Sequence, residues 1–301
     1  MFLNLPPPLK SSSTIGLICP GGGFDDYKPI KRATKFLRKL GYKVKLGKAL
    51  ISDKKLYKYL SGSDKERIKD LENLWLDKSV DAIFCLKGGY GSLRLIKQIN
   101  FHNLKAKKIF LGFSDITVLL LSIYARLKLT TFHGPLIGSK SIDKKSLNYL
   151  FKLLTKKDFN FSYSFKKTGT VISHGKAVGR LIGGNLTSIC SMLETTLLPC
   201  FKSSILFLED CDEKPYKIDR LLTQLENAGI FKQVKGILFG SFKNCGFKKR
   251  DEFIRLIKEK LGKYKIPIVC NFPAGHGKQN YTLPIGKEAC LQTSNLVLKS
   301  I

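Results

Sequence analysis

The sequence predicts an α/β protein, with an N-terminal domain on a parallel sheet and a smaller C-terminal α/β domain. Three observations predict this. Short apolar runs alternate with segments of helical spacing through the first half, and several of the runs end in glycine-rich or polar turns. The alternation then breaks into a Phe-, Ser- and Lys-rich stretch at 156–176 before it resumes. Alternation of this kind implies a sheet covered on both faces, Rossmann- or flavodoxin-like, whose functional loops gather at the carboxyl ends of the strands. The expected organisation is an N-terminal domain at 1–157, a linker at 158–176 and a C-terminal domain at 177–301.

Residues 14–19 form an apolar run ending in Pro20 and three glycines, and 30–40 follow with Ile30, Ala33, Phe36, Leu37 and Leu40 at helical spacing. The unit repeats with a strand at 42–50, a helix at 63–76 that opens on the capping pattern Ser63-Asp-Lys-Glu66, a strand at 80–86 and a helix at 92–99. A strand at 108–113, a helix at 116–127, a strand at 129–132 and a helix at 144–154 complete the first half. In the second half, helices are expected at 185–193, 217–227 and 251–261, and strands at 204–208, 236–239 and 268–271. An extended pair around 289–292 and 296–298 closes the chain.

With 301 residues, 43% hydrophobic and 25% charged, the chain has the mixture of a folded soluble protein, which excludes disorder and fibrous repeats. Its most apolar stretch, 117–125, is about half the ~20 residues needed to cross a bilayer and is flanked by Asp115 and Arg126, so no membrane span is expected. Residues 1–13 lack the basic-then-apolar layout of a secretory signal, and the expected location is the cytoplasm. The eight cysteines form no Cys-x-x-Cys pair, so reduced, mostly buried thiols and no metal site are expected. A net charge of +30 invites a polyanion partner, but 44 lysines against 9 arginines are scattered without interleaved aromatics. A nucleic-acid-binding module is therefore the weaker reading.

Gly21-Gly22-Gly23 follows the first strand where a dinucleotide fingerprint would lie, yet it continues into Phe24-Asp25-Asp26, and two acids there repel a pyrophosphate. No phosphate-binding Gly-x-x-x-x-Gly-Lys-Ser/Thr loop occurs, and no cofactor is expected. Lys87-Gly88-Gly89-Tyr90-Gly91-Ser92 sits at the end of a buried strand, where converging amides suit a phosphate, a carboxylate or a developing oxyanion. Lys87 and Arg94, beside this turn, are candidate contacts for an acidic substrate. Ser114, between a strand and a striped helix, reads either as an N-cap bonded to the Thr117 amide or as a nucleophile at an elbow, with the Asp115 amide free for an oxyanion. Two histidines leave strands near such an edge, His133 in Phe-His-Gly-Pro and His276 in Gly-His-Gly, and either is a candidate base. Glu209, after four apolar residues, reads as an orienting acid or as a solvated strand end.

Taken together, the runs at 87–92, 112–117, 179–186, 207–210, 215–220 and 275–277 resemble, in order and spacing, the LD-carboxypeptidase family of serine peptidases. The resemblance implies a cytoplasmic, homodimeric enzyme that removes the terminal D-alanine from muropeptide tetrapeptides in peptidoglycan recycling. It makes Ser114 the nucleophile, Glu209 the orienting acid and His276 the base, with oxyanion donors at Gly88, Gly89 and Asp115. Lys87 stands where relatives often carry Arg. A relative of the same pattern, the microcin C self-immunity peptidase, cleaves a peptidyl-nucleotide analogue and is the alternative.

Overall fold

A computed structural model describes residues 4–51, 57–139, 142–248 and 250–301. The first sheet holds five parallel strands, β1 (Thr14–Ile18), β2 (Lys43–Leu46), β3 (Ala82–Cys85), β4 (Ile109–Gly112) and β5 (Thr131–His133). Their spatial order is β2-β1-β3-β4-β5, the flavodoxin-like winding, whose direction reverses between β1 and β3. The two glycine loops follow these two strands, so the crevice at the reversal point is lined by backbone.

Helices α1 (Lys28–Lys39), α2 (Asp64–Leu76), α3 (Thr117–Leu127) and α4 (Lys144–Leu154) accompany this sheet. The capping box forms as the sequence predicts: Ser63 Oγ accepts from the Glu66 amide at 3.2 Å, and Glu66 Oε2 accepts from the Ser63 amide at 2.9 Å. Two expected elements differ. The strand at 42–50 stops at Leu46 because the Asp70 carboxylate takes the Lys48 and Ala49 amides at 2.7 and 2.8 Å and bends the chain into a 3-10 turn. The helix at 92–99 shrinks to a 3-10 turn at Ser92–Arg94 followed by further turns, with Leu95, Ile96 and Ile99 buried as anchors.

The second sheet is built from β6 (Ser162–Ser164), β7 (Thr170–Ser173), β8 (Lys176–Asn185), β9 (Ser204–Cys211), β10 (Gly236–Lys243) and β11 (Ile268–Cys270). Next along the chain, β12 (Leu283–Ile285) crosses back to pair antiparallel with β5, whereas β13 (Glu288–Gln292) and β14 (Val297–Ser300) complete the second sheet. Its order is β6-β14-β13-β8-β9-β10-β11-β7, parallel from β8 to β11 and antiparallel at both flanks. The 158–176 stretch, expected as a linker, therefore carries both edge strands of this sheet. Helices α5 (Leu186–Cys190), α6 (Pro215–Asn227), α7 (Ile230–Gln233) and α8 (Arg250–Leu261) belong to this half. Among the described residues, no helix is long and apolar enough to cross a membrane.

The halves interlock where α3 meets β8: the Asn185 amide donates to Thr117 Oγ1 at 3.0 Å. One buried cluster joins Phe110, Ile116 and Leu120 of the first half to Leu206, Leu208 and Ile237 of the second. This continuous core fixes the carboxyl ends of β4 and β9 relative to each other.

Candidate active site

Ser114 follows β4 with φ +65°, the left-handed region that a non-glycine residue occupies only when its surroundings hold it there. Its hydroxyl does not cap the helix; it lies 3.1 Å from Nε2 of His276. Of the two readings the sequence leaves open for Ser114, the geometry matches the elbow.

His276 is brought there by Gly275, whose φ of +99° and closeness to Glu209 leave no room for a side chain: a Cβ would stand 2.5 Å from Glu209 Oε2. Nδ1 of His276 lies 2.6 Å from Glu209 Oε2, and its main-chain amide donates to the same oxygen at 3.2 Å. With Nδ1 protonated by this contact, Nε2 is left to face the serine as an acceptor. Glu209 lies within β9 and is fully buried, so the solvated strand end is excluded. Burial alone would raise its pKa, but the imidazoles of His133 and His276 hold it down at about 2. Burial pulls His276 the other way, and Glu209 overcomes it, with smaller help from Asp210 and Asp212, so the imidazole lies above its ordinary value.

The neighbouring Asp210 does different work because adjacent strand residues point to opposite faces. It accepts from Asn185 Nδ2 at 2.8 Å, the Thr187 amide at 3.0 Å and Thr187 Oγ1 at 2.8 Å, which fastens α5 to β9. His133, the other candidate base, ends β5 on the far side of Glu209: its Nε2 is 3.8 Å from Oε1, the oxygen His276 does not use.

Gly88 presses against the elbow, where a Cβ would stand 2.8 Å from Ser114 Cβ. The Asp115 side chain, whose pKa burial pushes up, accepts the Ser92 amide at 2.9 Å and so ties the glycine turn to the elbow. Gly88 carbonyl accepts the Gly22 amide at 2.6 Å, and Lys87 donates to the Gly23 carbonyl while its ammonium lies 5.3 Å from the Phe24 ring. Lys87 thus joins the two glycine loops. Arg94 is engaged through Nε by Asp64 at 2.9 and 3.0 Å.

Sequence reasoning missed Arg67. This fully buried guanidinium donates to the carbonyls of Pro20 and, at 3.1 Å, Gly91, and pairs with Asp64 at 2.5 Å. One side chain of α2 therefore holds both loops at the reversal point. The only signal was a helical Arg on an otherwise apolar stripe, between Ile68 and the cap.

A cavity of about 260 Å³ opens beside His276, with Phe113, Pro135, Leu136 and Ile142 as apolar walls and Lys243, Lys278 and Asp212 as charged ones. Among the described residues, no group of three or more His, Cys, Asp or Glu side chains is placed to hold a metal ion.

The sequence profile of the LD-carboxypeptidase N-terminal domain matches residues 15–134, and that of the C-terminal domain matches 178–291. The chain belongs to the LD-carboxypeptidase family. The family's N-terminal profile ends just past His133, and its C-terminal one contains both Glu209 and His276. A probable murein peptide carboxypeptidase of Bacillus subtilis is 38% identical over 96% of this chain and 92% of that protein. Among solved structures, a muramoyltetrapeptide carboxypeptidase from Oxalobacter formigenes superposes with TM-score 0.82 at 29% identity, covering 95% of this chain and 97% of that one. The microcin C7 self-immunity protein MccF superposes with TM-score 0.89 at 26% identity, covering 99% of this chain and 98% of that one. The chain is thus a serine-peptidase-family carboxypeptidase by descent.

Proposed function

We propose that the protein is a muramoyltetrapeptide carboxypeptidase that hydrolyses the L,D bond to the terminal D-alanine of muropeptide tetrapeptides. The observation that carries this is the hydrogen-bonded series Ser114, His276, Glu209, formed by the turn after β4, the loop after β11 and the last part of β9. Ser114 Oγ attacks the scissile carbonyl while His276 Nε2 takes its proton; Glu209 fixes the tautomer and stabilises the imidazolium. The oxyanion that develops lies between the amides of the Gly88-Gly89 turn and Asp115. His276 then returns the proton to the leaving amine, so the leaving D-alanine must lie against His276. The cavity there has apolar walls for its methyl group and Lys278 and Lys243 for its carboxylate. Water deacylates the enzyme by the same route. The resemblance supports a homodimer working in the cytoplasm, and sedimentation of the purified chain tests the dimer.

Mass spectrometry of a purified tetrapeptide, with L,D and D,D bonds in parallel, tests the reading: loss of one D-alanine from the L,D substrate alone supports it, and an intact substrate overturns it. A second reading, a self-immunity peptidase acting on a peptidyl-nucleotide analogue, is favoured by the higher TM-score to MccF. An aminoacyl-sulfamoyl nucleoside in the same assay separates the two, because only that reading expects its cleavage.

A further inference from the structure

The two oxygens of Glu209 are treated unequally. Oε2 accepts from His276 twice, whereas Oε1, equally buried, has no hydrogen-bond partner among the described residues. Both ring nitrogens of His133 are also buried with no hydrogen-bond partner among the described residues, and its Nε2 is 3.8 Å from that same Oε1. Two unsatisfied groups facing each other in a buried site are each other's natural partner. We propose that His133 is a positioning residue: an imidazole carrying a proton on Nε2 and aimed at Glu209 Oε1, which fixes the carboxylate so that Oε2 alone serves His276.

The surroundings leave His133 few alternatives. Its backbone is pinned on both sides in the sheet, opposite Gly112 of β4 and Leu283 of β12. Its ring is packed edge-on against Phe207 at 5.1 Å and Phe113 at 5.7 Å, neither of which offers an acceptor. Phe113 also packs on His276 at 4.8 Å, so one ring holds the two imidazoles on opposite sides of the carboxylate. Closing 3.8 Å to hydrogen-bond length takes a shift of about 1 Å, within the reach of a side-chain torsion.

A donor on Oε1 divides the carboxylate's charge between two partners and so moderates its pull on His276. The other groups that act on this pair are Ser114, just beyond β4, and through their charge Asp210, on the opposite face of β9, and Asp212 just beyond that strand, all of which a His133 variant leaves in place. His133→Phe keeps a ring and removes the donor, and His133→Gln supplies an amide N–H near the position of Nε2.

The experiment combines kinetics on the tetrapeptide with NMR of ring nitrogens in the whole protein. Expected for His133→Phe is a kcat lower by roughly three- to tenfold, the worth of one net hydrogen bond, with KM within about twofold. Its acid limb and the His276 titration should move to higher pH by roughly half a unit to one unit, because Glu209 then acts on His276 alone. His133→Gln should restore both. In the unmodified chain the His133 ring should carry its proton on Nε2. A wild-type His276 titration in His133→Phe, a His133→Gln as impaired as His133→Phe, or a proton on Nδ1 of His133 overturns the proposal. If a variant does not fold, the tautomer in the unmodified chain decides. The kinetic arm rests on the peptidase reading above and the NMR arm does not. An intact tetrapeptide beside the expected NMR results would overturn that reading and leave this one standing.

Discussion

Ser114 Oγ and His276 Nε2 lie 3.1 Å apart although 162 residues separate them in the chain, one delivered by β4 of the first sheet and the other by a loop of the second half. Their meeting depends on two backbone conformations with positive φ, at Ser114 itself and at Gly275, and on the packing of α3 against β8. The site is therefore built from one strained residue, Ser114, and one glycine turn on rigid strands, an arrangement in which local stability at the serine is given up for placement.

The strain at Ser114 can be separated from its chemistry. Ser114→Ala and Ser114→Gly should both lose about three orders of magnitude or more in kcat, since each removes the nucleophile. They should differ in stability. Alanine keeps a Cβ at φ +65°, and glycine does not, so Ser114→Gly should be the more stable of the two by about 1 kcal/mol in urea denaturation. Equal stabilities would show the elbow to be unstrained, and full activity in either variant would remove Ser114 from the mechanism.

Gly88→Ala tests the approach of the glycine turn to the elbow. The added methyl would stand 2.8 Å from Ser114 Cβ and 3.3 Å from the Phe113 carbonyl, so either the turn or the serine must shift. A displacement near 1 Å at reacting atoms costs on the order of a hundredfold in kcat. The expected outcome is that loss with little change in thermal midpoint; unchanged turnover would place the oxyanion donors elsewhere.

Arg67 should matter for stability more than its distance from Ser114 suggests. Arg67→Met fills similar volume but strands the Pro20 and Gly91 carbonyls and leaves Asp64 with Arg94 alone. Such a change should cost about 3 kcal/mol in equilibrium unfolding and reduce kcat as both loops loosen. A variant as stable and as active as the parent would mean the loops hold themselves.

The high positive charge has its own measurement. Muropeptides carry several carboxylates, so kcat/KM should fall as ionic strength rises while kcat stays level, because steering acts on encounter. A flat kcat/KM between low and physiological salt would leave the +30 without a role in substrate capture. EDTA should change neither constant.

How much of this was legible in the sequence follows from how local each signal is. The parallel sheet, the capping box of α2 and the turns that hold Ser114 and His276 are encoded within a few neighbouring residues, and they appear where expected. β8 was missed because Gly179, Gly183 and Gly184 dilute a ten-residue strand whose inward positions the structure shows to be buried. β6, β7 and β12 are three or four residues long and take their register from partners far along the chain. Arg67 and the facing of His133 by Glu209 are wholly tertiary, since nothing near either residue announces the backbone carbonyl or carboxylate it meets.

The pairing of Glu209 with His276 yields the sharpest test, because charge and pH act on it together. His276 must be neutral to accept the serine proton, so activity falls as pH drops through its titration. Glu209 sets that titration above the ordinary 6.5, against the pull of burial. The acid limb of kcat/KM should accordingly lie above 6.5. Glu209→Gln preserves shape and removes the charge, so burial is left to dominate and the limb should move to lower pH, below its position in the parent. Turnover should fall strongly at the same time, since nothing then stabilises the imidazolium. Because the two residues act as a unit, adding His276→Ala to Glu209→Gln should cost much less than the product of the single losses. Losses that multiply, together with a limb that does not move, would show that Glu209 neither orients nor charges His276, and the base would have to be sought elsewhere.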